Sequence, residues 1–128
     1  MFVSQFWTSS GPLFPDNLLF TPTIAIPGTA LSISFKIKVA ATFTPDHLEN
    51  YAIYVYDDAL GASLDTKIFE ETLVVGGDGS TKNITVPIPA SFIGKTIGII
   101  IRHYACTDQA ILAVDDFEVS YSTTLSLE

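Results

Sequence analysis

The sequence predicts an all-β fold, an antiparallel two-sheet jelly-roll β-sandwich, and three observations carry that prediction. Residues 31–39 alternate without a break: Leu31, Ile33, Phe35, Ile37 and Val39 share one face, against Ser32, Ser34, Lys36 and Lys38 on the other. A period of two places one face in a core and the other in water. Residues 96–104 are instead apolar on both faces until Arg102 and His103, as in a central strand covered on two sides. Turn formers recur at regular intervals between these stretches, and no segment carries an apolar pattern of helical period.

Taken in order, the chain opens with a dense set of aromatics, Phe2, Phe6, Trp7 and Phe14. These either pack over an otherwise bare sheet edge or form a platform for stacking a sugar, with Trp7 as a ligand contact. Strands are expected at 18–21, 31–39, 51–56, 67–75, 82–88, 96–104 and 110–121. The punctuation between them is Pro27-Gly28, Pro45-Asp46, Asp57-Asp58 with Gly61, Gly76-Gly77-Asp78-Gly79, and Pro87 with Pro89. The glycine run reads as a flexible hairpin loop. A phosphate cradle would need a helix to follow it, and Lys82 sits in a strand. Tyr51, Tyr54 and Tyr56 alternate onto both faces of their strand, so at least one is expected to meet solvent. Tyr54 and Tyr56, near Asp57-Asp58, are therefore candidate ligand contacts.

The last two strands, 96–104 and 110–121, are joined by a short polar loop, and the second carries a phase slip. Leu112 and Val114 share a face, but Phe117, Val119 and Tyr121 continue the pattern one residue late. An extra residue at Asp115-Asp116 predicts a β-bulge that re-aims one carboxylate. The expected core is Ile33, Phe35, Ile37, Ile99, Ile101, Leu112 and Val114.

Length and composition bound the rest. A chain of 128 residues makes one domain, 1–126, large enough to bury a core, and the terminal Leu127-Glu128 resembles the scar of a cloning site. Hydrophobic residues make up 48% and charged residues 16%, which excludes disorder. No apolar run reaches the length of a membrane span. A net charge of −8 repels phosphate backbones, so nucleic acid is not an expected partner. The single cysteine, Cys106, permits no internal disulfide.

Chemistry is concentrated in the last third of the chain. Adjacent acids in an apolar strand must be solvated, paired or bound to a cation, because a lone buried charge is too costly. Asp115 and Asp116 are accordingly read either as calcium ligands or as carboxylates at a bulge, solvated or paired with an arginine. His103, Cys106 and Asp108 could suit a transition metal or an activated thiol, but no second Cys/His cluster accompanies them and His47 lies far off in sequence. The expectation there is a loop held by hydrogen bonds around a buried thiol. Asn83-Ile84-Thr85 matches a glycosylation sequon.

The order of motifs resembles the cleaved-adhesin, or choice-of-anchor J, family of bacterial jelly-roll domains, known from the adhesin regions of gingipain proteases. Asp16-Asn17-Leu18-Leu19-Phe20-Thr21-Pro22 is similar to that family's opening motif, with Leu18 where the family has tryptophan. Tyr51 through Tyr56, Gly94-Lys95-Thr96, Arg102 through Gln109 and Val114 through Phe117 follow in the family's order. The family's N-terminal strand has no visible match here. The resemblance implies a structural calcium site, with loop carbonyls around Asp16 joining Asp115 and Asp116, weakened where that strand is lacking. It implies no other cofactor.

The expected function is a non-catalytic adhesion or binding module of a larger bacterial protein, secreted or held at the outer cell surface. Its partners would be a host protein or glycan surface and other domains of the same polypeptide. A carbohydrate-binding accessory module of a secreted hydrolase and a structural spacer are the alternatives. No convergent acid/base or nucleophile set with catalytic spacing is present in the sequence.

Overall fold

A computed structural model describes residues 2–5, 7–8, 11–12, 17–41, 50–72, 82–104 and 111–122, with the backbone alone placed at 2–5, 7–8, 11–12, 41, 111–113 and 116. The described chain is almost all strand. Eleven strands run in order: β1 (Phe2–Gln5), β2 (Trp7–Thr8), β3 (Gly11–Pro12), β4 (Asn17–Phe20), β5 (Ile24–Ala25), β6 (Ser32–Ala41), β7 (Asn50–Asp57), β8 (Lys67–Thr72), β9 (Lys82–Ile88), β10 (Thr96–His103) and β11 (Ile111–Ser122). Single 3-10 turns at Asp58–Leu60 and Ala90–Phe92 are the only helical pieces among the described residues.

All pairings are antiparallel. One sheet has the order β1-β11-β6-β9, and the other β4-β10-β7-β8 with β5 also on β10; β2 and β3 pair with each other. Only β4–β5 and β7–β8 join consecutive strands within one main sheet. The links after β5, β6, β8, β9 and β10 all cross between sheets, which is the jelly-roll connection pattern.

The alternating stretch forms β6. Ile33, Phe35, Ile37 and Val39 are buried against the opposite sheet, while Lys36 is exposed. The doubly apolar stretch forms β10, central in its sheet, with Ile97, Ile99 and Ile101 turned to the main core and Ile100 buried on the other face. Of the expected core, Ile33, Phe35, Ile37, Ile99, Ile101 and Val114 are buried, and the Leu112 side chain lies outside the described residues.

The phase slip is a bulge. Asp115 stands opposite Lys38 and Glu118 opposite Lys36, so three steps along β11 match two along β6. Asp116 and Phe117 together face Ile37. The extra residue restores phase: Phe117 returns to the inter-sheet space and stacks on Phe35 at 6.4 Å, while Asp115 and Glu118 both remain exposed.

Two expectations are corrected. The sequence reading places no strand before residue 18, yet β1 lies along β11 and β2 pairs with β3. Pieces of two to four residues carry too little alternation to announce themselves. The glycine run was expected to close a hairpin, but β8 and β9 belong to different sheets. Residues 73–81, which hold that run, lie outside the described residues.

The topology also gives the sandwich two distinct ends. At one end β6, β8 and β10 finish and β7, β9 and β11 begin; at the other β5, β7, β9 and β11 finish and β6, β8 and β10 begin. At the first end Tyr51 on β7 donates to Glu71 on β8 at 2.5 Å, and Lys82 on β9 donates to the same carboxylate at 2.6 Å. This clamp ties one sheet to the other. Burial, with Glu71 beside it, holds the Tyr51 hydroxyl far above its ordinary pKa, so it remains a donor.

Candidate functional site

The outer face of the five-stranded sheet is where the sequence-predicted tyrosines arrive. Alternation along β7 turns Ala52, Tyr54 and Tyr56 away from the main core, where with Ile100 they form a second buried cluster. Tyr54 is 2% exposed and Tyr56 7% exposed. Tyr51, on the inner face, is fully buried. The expectation that one of the three meets solvent is therefore corrected: β7 is flanked by β10 and β8, and both its faces are covered. Tyr56 is accommodated by Gly98, its partner in the ladder, where a Cβ would fall 2.3 Å from the ring.

The exposed large apolar side chains on this face belong instead to the edge strand β4. Phe20 stands opposite Ile100 and meets Tyr56 edge-on at 6.5 Å between ring centres. Leu18 stands opposite Arg102. Leu18 is 42% and Phe20 49% exposed, so two large apolar side chains face water on a support of buried aromatics.

The same face continues into a polar network. Arg102 lies 3.9 Å over the Tyr104 ring and its Nη1 donates to the Tyr54 hydroxyl at 3.4 Å. Tyr104 donates to Glu70 at 2.7 Å, Asn50 Nδ2 donates to Glu70 at 3.2 Å and to the Tyr104 carbonyl at 3.1 Å, and Lys67 donates to Glu70 at 2.6 Å. Lys67 foremost, then Tyr104 and Asn50, holds the Glu70 carboxyl down at about 2. Desolvation, with Glu70 beside it, pushes Tyr104 up to about 12. A carboxylate saturated with donors is a poor proton acceptor at neutral pH, and a high-pKa phenol is a poor donor of its proton. The arrangement fixes side chains in place for contact, and none of these groups is poised as an acid, base or nucleophile.

The other candidates are dispersed. Asp115 is exposed and stands opposite Lys38, on the outer face of the other sheet. Its cross-strand neighbour is thus a lysine, and Arg102 and His103 are on the far sheet. Asp16 and the Asp116 side chain lie outside the described residues. One exposed carboxylate opposite a lysine does not make an oxygen shell, and among the described residues no three His, Cys, Asp or Glu side chains group to hold a metal ion. Trp7 is placed by its backbone, paired with Pro12. His103 is buried at the inner end of β10, opposite Tyr51; His47, Cys106 and Asp108 lie outside the described residues. Asn83 and Thr85 are exposed on β9. Leu18, Phe20 and Glu70 escaped the sequence reading as site residues, although the alternation of β4 against β10 would have set Leu18 and Phe20 on Arg102's face.

Comparison with known proteins agrees with this architecture. A family profile described as the Cleaved Adhesin Domain matches residues 1–119. The chain belongs to the cleaved adhesin domain family. Its relatives include Lys-gingipain W83 of Porphyromonas gingivalis, 27% identical over 116 residues, which span 85% of this chain and 7% of that protein. Hemagglutinin A of the same organism is 28% identical over 120 residues, 85% of this chain and 4% of that protein. The chain therefore spans less than a tenth of the length of these relatives. Among solved structures, the K3 and K1 cleaved adhesin domains of Lys-gingipain each superpose with a TM-score of 0.72 at 26% identity. They cover 92% and 94% of this chain, and 71% and 73% of their own chains are matched.

Proposed function

We propose that this cleaved adhesin domain is a non-catalytic adhesion module of a secreted or surface-held polypeptide, and that it binds protein through the outer face of the five-stranded sheet. The observation that carries this reading is the exposed pair Leu18 and Phe20, set on buried tyrosines and flanked by a stacked Arg102–Tyr104 pair. Aromatics and arginine in a preordered patch are the composition of interface hot spots. A protein ligand is favoured over a sugar because Tyr54 and Tyr56, the rings a sugar would stack on, are buried, and the exposed groups are one leucine and one phenylalanine on an edge strand.

The test sets the purified chain against immobilised host extracellular-matrix proteins and a glycan array side by side. Saturable binding to one or more of the proteins is expected. Binding confined to glycans would favour the carbohydrate reading, and no binding to either would favour a spacer.

Weak calcium binding is a separate proposal, resting on two adjacent acids at a bulge in a chain of net charge −8. A thermal melt with calcium against chelator checks it. A ligand at a hundred times its dissociation constant adds about 2.7 kcal/mol, and an unchanged midpoint at millimolar calcium would leave Asp16, Asp115 and Asp116 without that role.

A further inference from the structure

The described residues expose six large apolar side chains, Leu18, Phe20, Leu31, Leu60, Leu64 and Tyr121. Two of them belong to the β4 face. The other four lie at the end of the sandwich where β5, β7, β9 and β11 finish. Leu31 immediately precedes β6, Leu60 and Leu64 lie in the link between β7 and β8, and Tyr121 is the penultimate residue of β11. Leu60 is 85% exposed. Single exposed leucines are ordinary on any protein, but their concentration at one end of a fold marks a contact surface.

The loops at this end are held by their own backbone. Ile26 N–H donates to the Lys95 carbonyl at 2.9 Å, Leu31 to Ser122 at 2.6 Å, and Val55 to Thr66 at 3.1 Å. The turn under Leu60 is capped at both sides. The Asp57 carboxylate accepts from Ala59 N–H at 3.0 Å, and Gly61, at φ 89°, donates to the Asp58 carbonyl at 3.2 Å. Leu60 is therefore presented on a pinned turn, and little ordering of the chain is needed before it can be used as an anchor. Loops fixed on a rigid β-scaffold are a usual place for recognition.

Lys95 and Lys67 near these leucines are paired, with Asp57 and Glu70, and the unpaired charge of the described residues there is acidic. Asp58 and Asp65 are exposed in the same link, and among the described residues neither has an ion-pair partner; Lys95 is 3.7 Å from Asp57. We propose that this end is a second docking surface, for a protein partner whose apolar patch is ringed by lysine and arginine. An acidic rim of this kind repels a phosphate backbone or an anionic membrane. The surface is separate from the β4 face, and neither proposal depends on the other.

The experiment is a titration of the isotope-labelled full chain, followed amide by amide in NMR, with a short amphipathic peptide of leucine and lysine. A leucine and glutamate peptide of the same pattern serves as the control. The expected result is saturable shifts at 58–65, around Leu31 and at Tyr121 with the lysine peptide alone. Leu60→Ser should weaken that binding about tenfold, as an anchor residue does, and Asp58→Asn with Asp65→Asn should weaken it and reduce its salt dependence. Leu60 is so exposed that its replacement leaves the fold intact, and the aspartate pair gives an independent reading. Shifts confined to the β4 face or to the opposite end, equal response to both peptides, or no change in either variant would overturn the proposal.

Discussion

Gly98 and Tyr56 form a pair in which neither residue is interchangeable. A methyl group at 98 would overlap the Tyr56 ring, so Gly98→Ala must expel the ring and open the support beneath Phe20. The expected outcome is a loss of about 1–3 kcal/mol, the usual cost of overpacking, read as a lower denaturation midpoint; an unchanged midpoint would mean the ring moves freely. Glu70 makes a second prediction at this scale. Its carboxyl sits at about 2 in the folded chain against an ordinary 4.5, so its stabilisation is present above the ordinary value and disappears as pH falls toward 2. Melts of the parent and Glu70→Gln should therefore differ near neutral pH and converge in acid. A gap that stays constant with pH would show that the Lys67, Tyr104 and Asn50 contacts do not hold the carboxylate.

The β11 bulge shows both the reach and the limit of the sequence. The slip between Val114 and Phe117 was legible because core residues must recur every second position, and one insertion breaks that phase visibly. Strands β6, β7, β9 and β10 were legible for the same reason, within a residue or two of their ends. What pairs with what was not, because alternation says which face is buried and nothing of the neighbouring strand. Hence the glycine run was read as a hairpin, and the covering of both faces of β7 went unseen. The bulge has a counter-intuitive consequence. Deleting Asp116 leaves Asp115, Phe117, Glu118 and Val119 in unbroken out-in-out-in order, so that deletion should be tolerated. Deleting Glu118 instead turns Val119 outward, with about 1.5–3 kcal/mol lost for each core side chain exposed. Equal melting points for the two deletions would refute the register. Phe35→Ala, at the fully buried partner of Phe117, should cost about 3–5 kcal/mol.

Across the whole molecule, the side chains that hold the fold and those of the proposed contact surfaces are different ones. Two sheets share one core, the Tyr51–Glu71–Lys82 clamp ties them at one end, and exposed apolar groups occupy the β4 face and the opposite end. Among the described residues no helix is long and apolar enough to cross a membrane. Such a layout lets one of these exposed side chains be changed without loss of the fold, so the proposed adhesion can be tested apart from stability. The measurement that tests this most directly compares the parent with Leu18→Ser/Phe20→Ser for binding to whichever matrix protein the parent recognises, with Leu60→Ser as the control for the other surface. The double variant should keep a cooperative melt and lose more than about tenfold in affinity, as removal of central interface anchors does, while the Leu60 variant binds as the parent does. A folded double variant that binds with undiminished affinity would contradict the assignment of adhesion to this face.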